Sequence, residues 1–323
     1  MSRARVFVER VPALEFAEMF FAEGLLAGLV DQVRQSDGLL DLDFWVDSRA
    51  KMQRASIYCG LAKLADIYAG RGRQLKLEIA GLVRRRLRLP DEAARWLPVG
   101  RHSELAGQLM CLIDNAVPVL PESHIRAGRT LRATSGRAVL ARNFGPRFDE
   151  DKMGASWLTG VTGCVRDALL GVDAIPPNLP PKSSCDALMI DAAGSLLLVE
   201  AEAPRSPEIG FAPARAAQQI SLWDAWLEAD RFALAHLRQV AGVRERLGLC
   251  PAGTADRLVR SRTVRSTYVL ATEPSVSPAL LGRMDQAAAL LEAAGLLDTT
   301  RFRCELTSGS EIVDATEAIA TPT

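Results

Sequence analysis

Lys182-Ser-Ser-Cys-Asp-Ala-Leu-Met-Ile-Asp-Ala-Ala-Gly-Ser-Leu-Leu-Leu-Val-Glu-Ala-Glu-Ala203 is the stretch that decides the fold. Two apolar runs, Ala187–Ile190 and Leu196–Val199, flank a short break ending in Gly194. A three-residue loop over 192–194, a type I turn followed by glycine in the left-handed region, is a common hairpin connection. That loop pairs Asp191 with Ser195 and Ile190 with Leu196, and counting outward sets Asp186 opposite Glu200. Side chains alternate along a strand, so Glu200 and Glu202 share a face about 6.5–7 Å apart. Asp186 joins that face about 5 Å from Glu200 across the ladder. The other face carries Ala187, Met189, Leu197, Val199 and Ala201. Runs that are apolar on both faces belong to central strands covered on each side. The pattern therefore gathers Asp186, Glu200 and Glu202 at one end of a buried hairpin.

Two like charges about 5 Å apart repel by roughly 3 kcal/mol at an effective dielectric of about 20. A divalent cation, a proton on one carboxyl group or a nearby arginine can offset that repulsion. Mg²⁺ takes oxygen ligands and is commonly held by one or two carboxylates together with water and substrate phosphate.

An Asp at the start of one strand, a Gly-containing turn and an apolar strand ending in Glu-x-Lys form the signature of the PD-(D/E)XK nuclease superfamily. Cys185-Asp186, thirteen intervening residues and Glu200-Ala201-Glu202 resemble it, closely over the hairpin and more loosely over 150–305 through the order of elements. The resemblance implies that Asp186 and Glu200, assisted by the Ala201 carbonyl, hold one or two Mg²⁺ (or Mn²⁺) ions for attack of water on a phosphodiester. Two departures stand out. Cys185 occupies the place of the motif's Pro, and Glu202 occupies the place of the Lys that positions or deprotonates the attacking water. Some restriction enzymes of the superfamily use Glu there. Lys182, with the strand parity of Asp186, is the first candidate for a relocated lysine, and Lys152 the second. Gln219-x-x-x-Trp223 resembles the Gln-x-x-x-Tyr element of exonuclease-like members. One helical turn separates the two residues, so the amide can face the carboxylates while the ring packs below. Many members add an acid from the helix before the first motif strand. Glu150 is the candidate, in competition with Asp149, Asp151 and Asp167.

Working outward, Asp149-Glu150-Asp151 opens a helix through Ala168, and the proline-rich 175–181 is an extended connector. A helix with Pro213 in its first turn runs to about Val240. A strand over Ser266–Ala271, a helix over Pro278–Ala294 and a strand over Phe302–Leu306 follow. This order predicts an α/β fold, a three-layer αβα restriction-endonuclease-like core with a mixed sheet, over 149–323. Residues 1–120 read as a mostly helical N-terminal region for recognition or partner binding. Leu14, Phe16, Phe20, Phe21, Leu25, Leu26 and Val30 recur at helical steps. Further amphipathic helices are expected over 48–68, stopped at Gly70 and Gly72, and over 74–89, ended by Pro90. The basic run 84–88 falls at a helix end, where cations complement the dipole.

The chain has 323 residues, 48% of them hydrophobic, with 39 basic and 39 acidic side chains, which excludes a disordered polyelectrolyte. It contains no uninterrupted apolar run of the roughly twenty residues that span a bilayer, and MSRARVFVER has no apolar signal region. Six scattered cysteines without Cys-x-x-Cys spacing predict a reduced, cytoplasmic protein. Zero net charge is an average. The basic linker or surface segment 121–148 holds Arg126, Arg129, Arg132, Arg137, Arg142 and Arg147 and, from Ser123 to Phe148, no acid. Such a cluster is the footprint of phosphate binding, or else of a solvated linker or an intersubunit ion-pair surface. Lysine occurs only at 51, 63, 76, 152 and 182. Phosphate-cradling glycine loops and the Gly-x-Ser-x-Gly elbow are absent, and His102, His124 and His236 are isolated, which turns the reading away from nucleotide, serine-hydrolase and His-rich zinc chemistry. The function expected is metal-dependent hydrolysis of DNA. Alternatives are a catalytically inactive nuclease-fold module binding nucleic acid or a protein, and a metal-free acid/base hydrolase using Glu200 and Glu202. DNA is the first partner and RNA the second, with room for a homodimer or partner subunit and none for a membrane.

Overall fold

The computed structural model describes residues 11–36, 38–47, 52–70, 74–89, 96–97, 102–121, 137–145, 152–170, 184–229, 233–260, 265–308 and 311–314. They form a mixed α/β protein with two sheets and two compact units, one from 8–133 and 236–256, the other from 134–235 and 257–323. Among the described residues no helix is long and apolar enough to cross a membrane.

The first unit departs from the helical expectation. It begins with α1 (Leu14–Ala17), a 3-10 turn over Glu18–Phe20 and α2 (Ala27–Gln35) in place of one continuous helix. The break has a steric cause. Between the two helices the chain folds back so far that the Leu26 amide donates to the Met19 carbonyl at 2.7 Å. A Cβ on Gly24 would lie 2.3 Å from the Glu18 carbonyl oxygen, so only glycine fits.

The segment expected as a helix over 48–68 forms two strands. β1 (Leu40–Asp47), β2 (Met52–Cys59), β3 (Ala62–Ala69), β4 (Leu75–Ile79) and β5 (Trp96–Leu97) make an antiparallel meander in sequence order. Ala55, Ile57, Ala65 and Ile67 point to the core while Arg54, Ser56, Asp66 and Tyr68 take the other face. Positions two apart include every step of four, so a strand's inward residues also satisfy a helical pattern, and Gly60 in the left-handed region (φ 58°) makes the turn that resolves it. Likewise 74–89 divides into β4 and α3 (Gly81–Leu87), which ends at Arg88 (φ 55°) with the basic run in its last turn. α4 (His102–Ala116) completes this part, and its Leu105, Leu109 and Ile113 join Phe16, Phe20, Leu29 and Leu42 in one core.

The second unit carries the quoted hairpin. The remaining elements in chain order are β6 (Ala138–Phe144), α5 (Lys152–Ala168), β7 (Cys185–Ile190), β8 (Leu196–Ala201), α6 (Glu208–Ala229), α7 (Ala233–Arg246), α8 (Thr254–Arg260), β9 (Ser266–Thr272), α9 (Pro278–Ala293), β10 (Phe302–Ser308) and β11 (Glu311–Asp314), of which α7 from His236 and α8 up to Asp256 fall in the first unit. The sheet order is β11-β10-β9-β8-β7-β6. β6, β7 and β8 run antiparallel, β8, β9 and β10 parallel, and β11 pairs antiparallel with β10. Helices α5, α6 and α9 pack against one another. Gln219 and Asp224 tie α6 to the sheet face that bears Glu200 and Ser266.

The helix expected from Pro213 to Val240 is two helices, and Pro213 lies inside the first. The residue that opens α6 is Pro207: the Ile209 amide reaches the Ser206 carbonyl and the Ser206 hydroxyl accepts from the Glu208 amide. From His236 onward α7 belongs to the first unit. There the Arg244 guanidinium, 2% exposed, donates to Asp41 at 2.6 Å, to Asp43 at 3.3 Å and to the Leu42 carbonyl at 2.8 Å. Burial alone would push the Arg244 pKa down, but the two carboxylates outweigh it and raise it. Replacing Arg244 with Ala strands two buried carboxylates. Arg244→Ala is therefore expected to lose about 3–5 kcal/mol in urea unfolding, whereas Arg166→Ala, at an exposed pair with Asp167, is expected to lose less than about 1 kcal/mol.

Candidate functional site

The hairpin adopts the register that its loop length predicts. Ile190 pairs with Leu196, Met189 with Leu197, Leu188 with Leu198 and Ala187 with Val199. The Asp191 amide donates to the Ser195 carbonyl at 3.1 Å, and Gly194 supplies the left-handed residue (φ 89°). β7 and β8 are central strands with neighbours on both sides. One step beyond the last of those pairs, Asp186 faces Glu200, and its Oδ2 accepts from the Ala201 amide at 3.0 Å. The mouth of the hairpin is thus closed by a side chain standing in for a ladder bond.

Glu200 is 2% exposed. An unpaired carboxylate is costly at such depth, and its Oε1 accepts from Gln219 Nε2 at 2.7 Å. The same nitrogen reaches the Ser184 carbonyl at 3.3 Å, so one amide links α6 to both strands of the hairpin. One turn further along α6, Trp223 is fully buried against Phe144, with ring centroids 5.6 Å apart, and against Trp226 at 5.3 Å. The expected division of labour, amide toward the carboxylates and ring below, is the one observed. Next to Gln219, Gln218 donates to Thr162 of α5 at 3.1 Å.

Glu202 follows the end of β8, and its amide continues the parallel ladder to the Ala271 carbonyl at 3.0 Å. Tyr268 of β9 stands beside Leu198 in register and is buried. Burial pushes its phenol well above the usual pKa, and Glu200, Glu202 and Asp186 push the same way while Arg215 opposes them. Three carboxylates and one guanidinium therefore act on a single phenol. The sequence reading missed Tyr268 and Arg215. Arg215 lies one turn before Gln219 and could have been found from that spacing, but Tyr268 depends on a parallel register that no local rule sets.

Among the described residues no group of three or more His, Cys, Asp or Glu is placed to hold a metal ion. The hairpin brings Asp186 and Glu200 face to face, but the metal-holding group of three carboxylates expected with Glu202 is not formed among the described residues. The candidates Glu150 and Lys182 lie outside the described residues, and for Lys152 only its place at the start of α5 is described. Of the six arginines, Arg126, Arg129, Arg132 and Arg147 also lie outside them. The other two require a correction. Arg137 makes a bidentate pair with Glu305, at 2.6 and 2.5 Å, which ties the residue before β6 to β10. Arg142 lies within β6 at 2% exposure, and a guanidinium so buried does not reach a nucleic-acid backbone. Scans against known family models, curated proteins and solved structures each returned no match to this chain.

Two measurements probe the site without assuming an activity. Replacing Gln219 with Leu leaves the Glu200 carboxylate without this donor, and the expected loss is about 1–3 kcal/mol in urea unfolding; a change within error would mean that the bond carries no weight. Tyr268 gives a pH signature. Its folded pKa is raised, so the folded chain holds the phenolic proton more tightly than the unfolded chain does. That contribution is whole below the unfolded value of about 10 and is lost as pH rises toward the folded value. Tyr268→Phe should gain stability relative to wild type between pH about 9 and about 11, and parallel pH curves would contradict the assignment.

Proposed function

We propose that this chain is a metal-dependent nuclease of the PD-(D/E)XK type that hydrolyses DNA phosphodiester bonds. The observation that carries the reading is the pairing of Asp186 and Glu200 across two central strands, with the carboxylate of Glu200 fixed by Gln219. The antiparallel run β6-β7-β8, followed by a helical crossover to the parallel β9, supports a restriction-endonuclease-like core. In that reading Asp186 and Glu200 would hold Mg²⁺ or Mn²⁺ with the Ala201 carbonyl. When bound, the ion makes water nucleophilic near neutral pH and offsets charge on the phosphate.

The chain's own residues do the rest. The Ala201 amide and the Gln219 amide each occupy one carboxylate oxygen, which orients Asp186 and Glu200 before substrate arrives. Glu202 takes a proton from the attacking water as its oxygen bonds to phosphorus. The bond from phosphorus to the leaving oxygen breaks, and that alkoxide is protonated from solvent. Contact with the DNA backbone would fall to Arg126, Arg129, Arg132 and Arg147, since Arg137 and Arg142 are otherwise engaged or buried.

One observation favours a second reading, a catalytically inactive nuclease-fold module. Glu202 stands in the lysine position, and among the described residues the acids form no three-ligand group. The full-length protein with Mn²⁺ or Mg²⁺ and linear or single-stranded DNA distinguishes the two. Cleavage that is abolished by EDTA and reduced at least about 100-fold in Asp186→Asn and Glu200→Gln supports the nuclease. No cleavage of DNA or RNA with either ion, together with retained nucleic-acid binding, supports the binding module.

A further inference from the structure

A second concentration of positive charge lies in the first unit. Between Arg49 and Arg88 eleven basic residues stand against two acids, Asp66 and Glu78, in a chain whose net charge is zero. The meander sorts part of that surplus onto one surface. Arg54 and Tyr68 take the sheet face away from the core, and the register sets Trp45 opposite Arg54, Arg54 opposite Tyr68 and Tyr68 opposite Lys76. Residues directly opposite one another in a ladder share a face, so aromatic and cationic side chains alternate in one row from β1 to β4. Trp96 takes the next place, opposite Lys76 in β5. Within the row the Arg54 guanidinium lies over the Trp45 ring at 4.7 Å and 6.0 Å from the centre of the Tyr68 ring. The Lys76 ammonium stands over the Tyr68 ring at 5.4 Å.

The acids of this face do not cancel its charge. Asp66 is 4% exposed and accepts from the Ser56 hydroxyl and from Lys63 Nζ, the latter at 2.7 Å. Arg54 lies 3.7 Å from the same carboxylate, so one buried negative charge is met by two cations. Glu78 is exposed and approaches Lys76 only to 3.6 Å. At the other end of β1, Asp41 and Asp43 on this face are already paired with Arg244. Arg54, Lys63 and Lys76 keep 27%, 36% and 24% of their side chains exposed, enough for all three to meet a ligand.

We propose that this face of the first unit binds single-stranded nucleic acid, with Trp45, Tyr68 and the plane of the Arg54 guanidinium offered to unstacked bases and Arg54, Lys63 and Lys76 to phosphates. Alternating rings and cations suit that ligand, because every base has a π-face and every nucleotide carries a phosphate. An arginine plane serves as a stacking surface as well. An acidic peptide would use the cations and leave the rings without a task. A duplex keeps the faces of its bases stacked and shows only their edges, in its grooves. The inference does not rest on the nuclease reading, since a chain without turnover would bind through the same face.

Fluorescence anisotropy with labelled oligo-dT and the full-length protein in EDTA tests the face without turnover. Wild type should bind, and more tightly than it binds a duplex of the same length. A single strand contributes about 0.7 to the log–log salt slope for each phosphate contact, so Arg54→Gln/Lys76→Gln should lower the slope by about 1.4 and weaken binding at least about tenfold. Tyr68→Leu should weaken binding about tenfold, while Tyr68→Phe, which keeps the ring, should bind as wild type does. Should the double variant fail to fold, Lys76→Gln alone is expected to lower the slope by about 0.7. No binding by wild type, or a salt slope and affinity unchanged in the folded variants, overturns the proposal. Tighter binding to duplex, or displacement of the oligonucleotide by polyglutamate at equal charge, overturns it as well. A wild type that binds through this face yet cuts nothing with Mn²⁺ sinks the nuclease reading alone. Cleavage with an unchanged KM in Arg54→Gln/Lys76→Gln sinks the face alone.

Discussion

A carboxylate at the mouth of a buried hairpin has to be held by something, and here the Ala201 amide holds Asp186 at 3.0 Å. That bond extends the β7–β8 ladder by one side chain and sets Asp186 against Glu200. Its existence depends on the loop. With 192–194 as three loop residues and Gly194 in the left-handed region, the strands meet with their acids on one face. A slip of one residue would send every side chain of β7 to the opposite face, separate Asp186 from Glu200 and turn Leu188 and Ile190 away from their partners. Apolar burial on both faces of these strands enforces the register, so the hydrophobic pattern fixes a polar site.

Once Glu200 is buried, the helix above it has little freedom. Gln219 must reach the carboxylate, which sets the rotation of α6, and that rotation drives Trp223 and Trp226 into the cluster with Phe144. The same physics recurs elsewhere in the chain. Asp41 and Asp43 on β1 are tolerated in the interior because Arg244, far along the sequence, pairs with both. Glu305 on β10 is tolerated because Arg137 grips both of its oxygens. In each case a buried acid makes a distant donor obligatory, and the tertiary contact follows from that requirement.

What could be read from the sequence follows the range of the rule involved. The hairpin register, β9, α9 and β10 rest on turn glycines, alternation and a proline-capped start, all of which are local. So does the pairing of Gln219 with the carboxylates, which needs only helical spacing. The sheet of the first unit was misread because Ala55, Ile57, Ala65 and Ile67 satisfy two periodicities at once. The break at Gly24 was missed because the close approach of the Met19 carbonyl to the Leu26 amide leaves no pattern in residue type. Tyr268 was missed for a third reason. Its place next to β8 depends on the parallel pairing of β8 with β9, which joins segments far apart in sequence.

The central claim is that Asp186 and Glu200 together form a seat for a divalent cation. Anomalous scattering from a crystal grown or soaked with Mn²⁺ addresses it without reliance on turnover. The account predicts a single strong peak bridging the Asp186 and Glu200 carboxylates, absent in an Asp186→Asn crystal treated in the same way. A fully ordered hairpin with both carboxylates in place and no peak between them would contradict it.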